Sequence, residues 1–315
     1  MAQKISRLDF VSEDAIHRIA KEECDKHLSG TASLKRPAAY LLIGQPGSGK
    51  TRIATLVKVM AISNAIFINN DENRYLHPFY SELSKLHKEK VNDIVSPFAS
   101  SVTEEMIETL SDNKRSLIIE GTGHHINVQM ETAYKLYEKG YVVNVAVMAE
   151  KPVISRFSTV LRGVKMCRAG LIPRYVSLSL QDDIISVLPE NLNILSSRPY
   201  ISECNIWSRT LTDIYADKKQ LPSKFLKAFW KENLTLEEIE YIKSGISEIE
   251  ESQVILPKEQ QEYFEKIKNE FAKGEIRAKT LENKLSFAKE REDMQSKGNT
   301  KEKNSHIIKN WYKLH

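Results

Sequence analysis

The chain has 315 residues, 41% of them apolar and 28% charged, the make-up of a soluble globular protein with room for one large or two modest domains. Its formal charge of +4 is carried by the end of the chain: from Lys258 onward there are 14 Lys/Arg against 10 Asp/Glu, which leaves the remainder balanced at 32 of each and excludes a broad basic face for nucleic acid. No apolar run is long enough to span a bilayer, Met1 to Ile5 lacks the core of a secretion signal, and Cys24, Cys167 and Cys204 are isolated, so a cytoplasmic protein without metal-cysteine chemistry is expected.

Residues 1–36 read as an N-terminal helical arm. Ser12-Glu13-Asp14 supplies a cap and early acidic charge, apolar Ala15, Ile16, Ile19 and Ala20 follow at helical spacing, and Gly30-Thr31 ends the pattern. Arg36-Pro37 then leads into the apolar run Ala39-Tyr40-Leu41-Leu42-Ile43. That run opens directly into Gly44-Gln45-Pro46-Gly47-Ser48-Gly49-Lys50-Thr51, which fits the phosphate-loop pattern G-x-x-x-x-G-K-[ST]. Glycines let the backbone turn tightly and present successive N–H groups to phosphate oxygens. Lys50 is expected to reach the β- and γ-phosphates, and the Thr51 hydroxyl to hold Mg²⁺. The helix that follows, with Ile53, Leu56, Val57 and Met60 on one face, adds its N-terminal dipole to the anion site.

The next strand, Ala65 to Ile68, delivers Asn69-Asn70-Asp71 to its carboxyl end, where open α/β sheets place their ligands. Asp71 there is either a general base for an attacking hydroxyl or the cap of a following helix, and spacing does not choose between them. Pro78 to Leu110 reads as two helical pieces broken near Ser96-Pro97, with Glu104 of ambiguous role on the second. Ser116 to Ile119 is a strand ending in Glu120-Gly121-Thr122-Gly123-His124-His125, where Glu120 stands in the position of a Walker-B-like acid. The tandem histidines do not read as a metal site, because adjacent side chains diverge and no H-E-x-x-H partner exists.

Val128 to Lys139 is a helix with Gly140 beyond its end, and Tyr141 to Met148 is a β-branched strand of the buried parallel type. Strand and helix in alternation predict an α/β fold with a doubly wound parallel sheet of the P-loop NTPase and kinase kind, spanning residues 37–215. Arg156, Arg162, Arg168 and Arg174 are each able to serve a transferring phosphoryl group, and composition does not select among them. Leu180 to Leu195 is a further helix, and Asn205-Ile206-Trp207 an edge strand. Residues 216–290 form a helical extension. Phe264, Ile267, Phe271, Gly274, Ala278, Leu281, Leu285 and Ala288, three and four apart, predict one long amphipathic helix, followed by a polar tail over 291–315.

Taken together, these blocks resemble the zeta toxin family, P-loop kinases of bacterial toxin–antitoxin systems that phosphorylate UDP-N-acetylglucosamine. The resemblance rests on Gly44 to Thr51, Ile68 to Asp71 with His77-Pro78, Glu120 to Gly123 and Val147 to Ala149, in that order, and runs more loosely through Ser155, Arg162 and Arg174 to Asp182 and Leu188-Pro189. It implies ATP, or GTP in its place, with Mg²⁺. It also implies Asp71 as catalytic base, Lys50, Arg162 and Arg174 around the phosphates, Thr51 and Glu120 at the metal, and Glu104, Glu120, Thr122, His124 and Thr132 on the nucleotide-sugar side. An antitoxin in trans, or the N-terminal arm in cis, would control the cleft. The chain departs from the family at Asn69, where an Asp is usual, at His124, where an Arg is frequent, and at Gln181, where many members carry a His. A regulatory NTPase, or a kinase of another nucleotide or dinucleotide acting through a partner protein, is the alternative reading.

Overall fold

A computed structural model describes residues 10–60 and 65–272. Its elements, in chain order, are α1 (Glu13–Gly30), β1 (Ala38–Ile43), α2 (Lys50–Met60), β2 (Ala65–Ile68), α3 (Asn70–Asn73), α4 (Tyr80–His87), α5 (Val91–Asp112), β3 (Ser116–Gly121), α6 (Ile126–Glu138), β4 (Val142–Met148), α7 (Pro152–Arg168), α8 (Leu178–Ser196), β5 (Glu203–Trp207), α9 (Pro222–Lys231), α10 (Leu236–Ser252) and α11 (Lys258–Ala272). The five strands form one parallel sheet in the order β2-β3-β1-β4-β5, with β1 at its centre.

The register explains why β1 is apolar at every position. Ala39 pairs with Leu117 on one side and Val143 on the other, and all six of its residues are buried. Alternate side chains leave opposite faces. Leu41 and Ile43 pack with Leu110, Leu136 and Leu188 from α5, α6 and α8, while Tyr40 and Leu42 pack with Ile53 and Val57 from α2. Each large apolar side chain buried in these layers contributes about 1.5–3 kcal/mol.

Ser12 caps α1 by accepting from the Ala15 amide, as expected, and Ala20 and Cys24 bury the inner face of α1. His17 Nδ1 lies 2.9 Å from Glu105 of α5, and Arg115, just beyond α5, reaches back to the Leu28 carbonyl. The arm is therefore docked along α5.

One expectation needs correction. The break between helical pieces falls at the 3₁₀ turn Lys88–Lys90, not at Ser96-Pro97, and Pro97 lies inside α5. Lys88 takes a left-handed φ of 46°, which ends α4. Proline removes one backbone donor, but burial of Val95, Phe98, Ala99 and Val102 around it holds α5 together. Among the described residues the extension is three helices, separated at residues 232–235 and 253–257, and the described start of the expected amphipathic helix, Phe264 to Phe271, lies unbroken within α11. Phe264 and Ile267 are buried, packing with Ile242, Ile246 and Ile249 onto Ile154, Phe157 and Leu161 of α7. Gly245 makes this seam close: a Cβ there would stand 2.5 Å from the Phe157 ring. Gly274, Ala278, Leu281, Leu285, Ala288 and the 291–315 tail lie outside the described residues. Among the described residues no helix is long and apolar enough to cross a membrane.

Candidate active site

The phosphate loop joins the central strand to α2, and its shape depends on two glycines. Gly47 and Gly49 have φ of +78° and +95°, values that a side chain opposes. At Gly47 a Cβ would also stand 2.0 Å from the Ser155 carbonyl oxygen, so α7 presses directly on the loop. Gln45 is fully buried and ties the loop to the end of β4, donating to the Glu150 carbonyl at 2.5 Å. Lys50 Nζ donates to the carbonyls of Gly44 (2.8 Å) and Gln45 (3.3 Å) and lies 3.7 Å from Glu120 Oε1. Burial pulls the Lys50 ammonium down from its ordinary value against the opposing pull of Glu120, and burial pushes the Glu120 carboxyl up against that of Lys50.

The neighbouring strand ends converge on this pair. Asn69 caps α3, its side-chain oxygen accepting from the Asp71 amide at 2.8 Å, while its Nδ2 donates to Glu120 Oε2 at 3.2 Å. The cap role is therefore Asn69's, and the Asp71 carboxylate points elsewhere. Its Oδ1 lies 2.9 Å from Arg74 and its Oδ2 3.4 Å from Arg174. Arg162, on α7, donates to the Arg174 carbonyl at 3.4 Å. Burial lowers the Arg162 guanidinium from its ordinary value, as does Arg174, and Asp71 and Glu120 oppose the change. Thus Arg162 lines the cleft beside the loop and Arg174 pairs with Asp71. Arg156 instead pairs with Asp182, and Arg168 with Glu248.

A cleft of about 430 Å³ opens beside the loop, lined among others by Gly47, Gly49, Lys50, Thr51, Glu120 and Arg162. Thr122 and His124, just past the end of β3, are not among the residues that line it: the Thr122 hydroxyl accepts from the His124 amide, and Asn191 of α8 donates to the Gly123 and His124 carbonyls. The rings of His124 and His125 lie 4.4 Å apart, contrary to the divergence expected of neighbours, because the chain turns there instead of continuing as a strand. No group of three or more acidic, histidine or cysteine residues among the described ones is arranged to hold a metal. Glu104 and Thr132 come together, but in a second groove between α5 and α6 whose walls share no residue with the first. Gln181 is buried and donates to Thr159 at 2.9 Å, a packing role.

Three residues of this region escaped the sequence reading. Glu150, buried just past β4, accepts from the Lys151 amide (2.8 Å) and from Arg209 (3.2 Å), and burial pushes its carboxyl up to about 7. The Arg209 guanidinium lies over the ring of Tyr241 from α10, 4.3 Å from its centre, and both residues line the loop cleft. Glu150 had a signal, a carboxylate at the end of an apolar strand, the same that marks Glu120.

The sequence model of the zeta toxin family matches residues 21–220. The chain belongs to the zeta toxin family. Lys50, Asp71, Glu120, Arg162 and Arg174 all fall within the matched stretch, and Tyr241 falls beyond it. The chain is 31% identical over 210 residues to a toxin zeta of Streptococcus pyogenes, spanning 66% of this chain and 73% of that protein. It is 29% identical over 220 residues to the toxin PezT of Streptococcus pneumoniae, spanning 68% and 85%. A solved structure from the PezAT chromosomal toxin–antitoxin system of Streptococcus pneumoniae shares the fold, with a TM-score of 0.71 at 24% identity over 78% of this chain and 99% of that one. The family and the parallel sheet together make this a P-loop kinase-like toxin fold.

Proposed function

We propose that the protein is an ATP-dependent kinase that transfers the γ-phosphoryl group to a sugar hydroxyl of UDP-N-acetylglucosamine or a related nucleotide sugar. The observation that carries this reading is the meeting of Lys50, Glu120, Asp71, Arg162 and Arg174 at the mouth of one phosphate loop. Asp71 accepts the proton of the acceptor hydroxyl as its oxygen bonds to the γ-phosphorus and the bond to the ADP oxygen breaks. Lys50, Arg162 and Arg174 offset the negative charge spread over the transferring group. Asn69 holds Glu120 and the α3 backbone in one hydrogen-bonded unit, which fixes the Asp71 carboxylate relative to the loop.

The residues present fit ATP and Mg²⁺. The loop has room only where it lacks side chains, and the buried Ser48 hydroxyl has no partner among the described residues. Thr51, exposed at the start of α2, and Glu120 would hold the metal, a small ligand set that suits an ion bound mainly through phosphate oxygens and water. When bound, Mg²⁺ neutralises charge on the β- and γ-phosphates.

The relatives are named as toxins, and the structural neighbour comes from a toxin–antitoxin system, which supports an antitoxin as partner. Helix α1, in the described part of the arm, lies along α5 and supplies none of the residues that line the loop cleft. The test is incubation with ATP, Mg²⁺ and a panel of nucleotide sugars and dinucleotides, with mass spectrometry to find the phosphate. The expected outcome is one phosphorylated nucleotide sugar. ATP consumption insensitive to every acceptor would overturn the kinase reading in favour of a regulatory NTPase.

A further inference from the structure

The loop cleft has a wall that phosphoryl transfer does not use. Arg209 stands two residues beyond β5, and Arg52 in the first turn of α2 donates to its carbonyl at 3.1 Å, so it sits on the side of the loop where α2 begins. One face of its guanidinium covers the Tyr241 ring. Its Nη1 is held by Glu150 at 3.2 Å, while the Tyr241 hydroxyl is 2.9 Å from Ser158 Oγ on α7. The side chain keeps 28% of its surface exposed, and it lines the cleft with apolar Leu161, Met166 and Leu171. A guanidinium already matched by a buried carboxylate is a poor anchor for another phosphate. Its free plane, backed by an aromatic ring, suits a flat heteroaromatic group.

Helix α10 is built to keep that wall still. Lys151, buried next to Glu150, reaches Glu238 at 2.7 Å and the Asn233 carbonyl at 2.9 Å, and Glu238 also closes the capping box with Thr235. The N-terminus of α10 is thus tied to the 150–151 segment, whose Glu150 carbonyl Gln45 of the loop holds.

We infer that Arg209, clamped between the Tyr241 ring and the Glu150 carboxylate, is the platform on which the base of the bound nucleoside triphosphate stacks, so that α10, beyond the family-matched stretch, completes the donor site. This rests on the donor reading above. A platform that stacks without reading base edges accepts ATP and GTP alike.

The test compares binding of ATP·Mg²⁺ and of inorganic tripolyphosphate with Mg²⁺ to the full chain by calorimetry, with melting temperature as the check on folding. Tyr241→Leu and Arg209→Lys should each weaken ATP by about tenfold or more while leaving tripolyphosphate within about twofold, and Tyr241→Phe should keep ATP within about threefold. Equal loss of ATP and tripolyphosphate in a folded variant, or unchanged ATP affinity, overturns the platform. If Tyr241→Leu does not fold, Arg209→Lys decides alone. An acceptor panel that yields no product would sink the kinase reading and leave this comparison standing. A wild-type chain that binds no ATP sinks both.

Discussion

The buried Glu150 carboxyl should make the stability of this protein depend on pH in a direction unusual for an acid. The groups around it are Arg209 from the turn after β5, Lys151 beside it and Glu238 from α10, and burial outweighs the two cations. Its folded pKa of about 7 lies above the ordinary 4.5. Between those values the folded state holds a proton that the unfolded state has lost. The stabilisation is therefore complete below about pH 4.5 and disappears as pH rises through about 7. Integrated from about pH 5 to about pH 8, the difference is about 2–3 kcal/mol. Glu150→Gln keeps the shape and cannot ionise. Urea unfolding of both proteins over that range should show the wild type losing about 2–3 kcal/mol relative to the variant as pH rises. A constant difference between them would refute the reasoning, because it would mean that the carboxyl is ionised throughout and that Arg209 fully offsets its burial.

Asp71→Ala should abolish phosphoryl transfer while leaving ATP affinity within about threefold, read by product mass spectrometry and calorimetry, and turnover at the wild-type rate would remove Asp71 from the chemistry. Gly47→Ala adds a Cβ that the Ser155 carbonyl already excludes, on a φ that costs about 1–2 kcal/mol for any side chain. ATP affinity should fall by at least about tenfold together with melting temperature, and a variant with native affinity would show that α7 does not press on the loop. Asn69→Ala removes both the α3 cap and the partner of Glu120, and should lower the unfolding free energy by about 1 kcal/mol in urea, whereas an unchanged midpoint would mean that solvent replaces the cap.

What the sequence makes legible is what local spacing encodes. Gly44 to Thr51 identifies itself because loop shape and phosphate contact depend on residues only a few positions apart, and the strands show as β-branched runs because a parallel sheet is buried on both faces. In the sequence Asp71 is a tie, because a base and a cap demand the same residue type at the same place. The structure removes the cap role alone, because the side-chain oxygen of Asn69 accepts from the Asp71 amide. Among four similar arginines, Arg174 differs from Arg156 and Arg168 in the carboxylate it meets, and Arg162 in donating to the Arg174 carbonyl, and that is decided by how α7 and the following segment cross the sheet ends. The Glu150, Arg209 and Tyr241 cluster draws on three distant parts of the chain, so no window of sequence contains it. The helix break at Lys88 went unseen for another reason: Pro97 is the louder local signal, and packing overrides it.

The place of β1 in the middle of the sheet sets the loop between two groups of strand ends. On the β3 and β2 side lie Glu120, Asn69 and Asp71; on the β4 and β5 side lie Glu150 and Arg209. Under the reading proposed here, Asp71 on the first side meets whatever receives the phosphate, Glu120 beside it serves the metal, and Arg209 on the second side meets the base of the donor. Under that reading a change of acceptor falls on the ends of β2 and β3, the side on which Asn69 and His124 both lie.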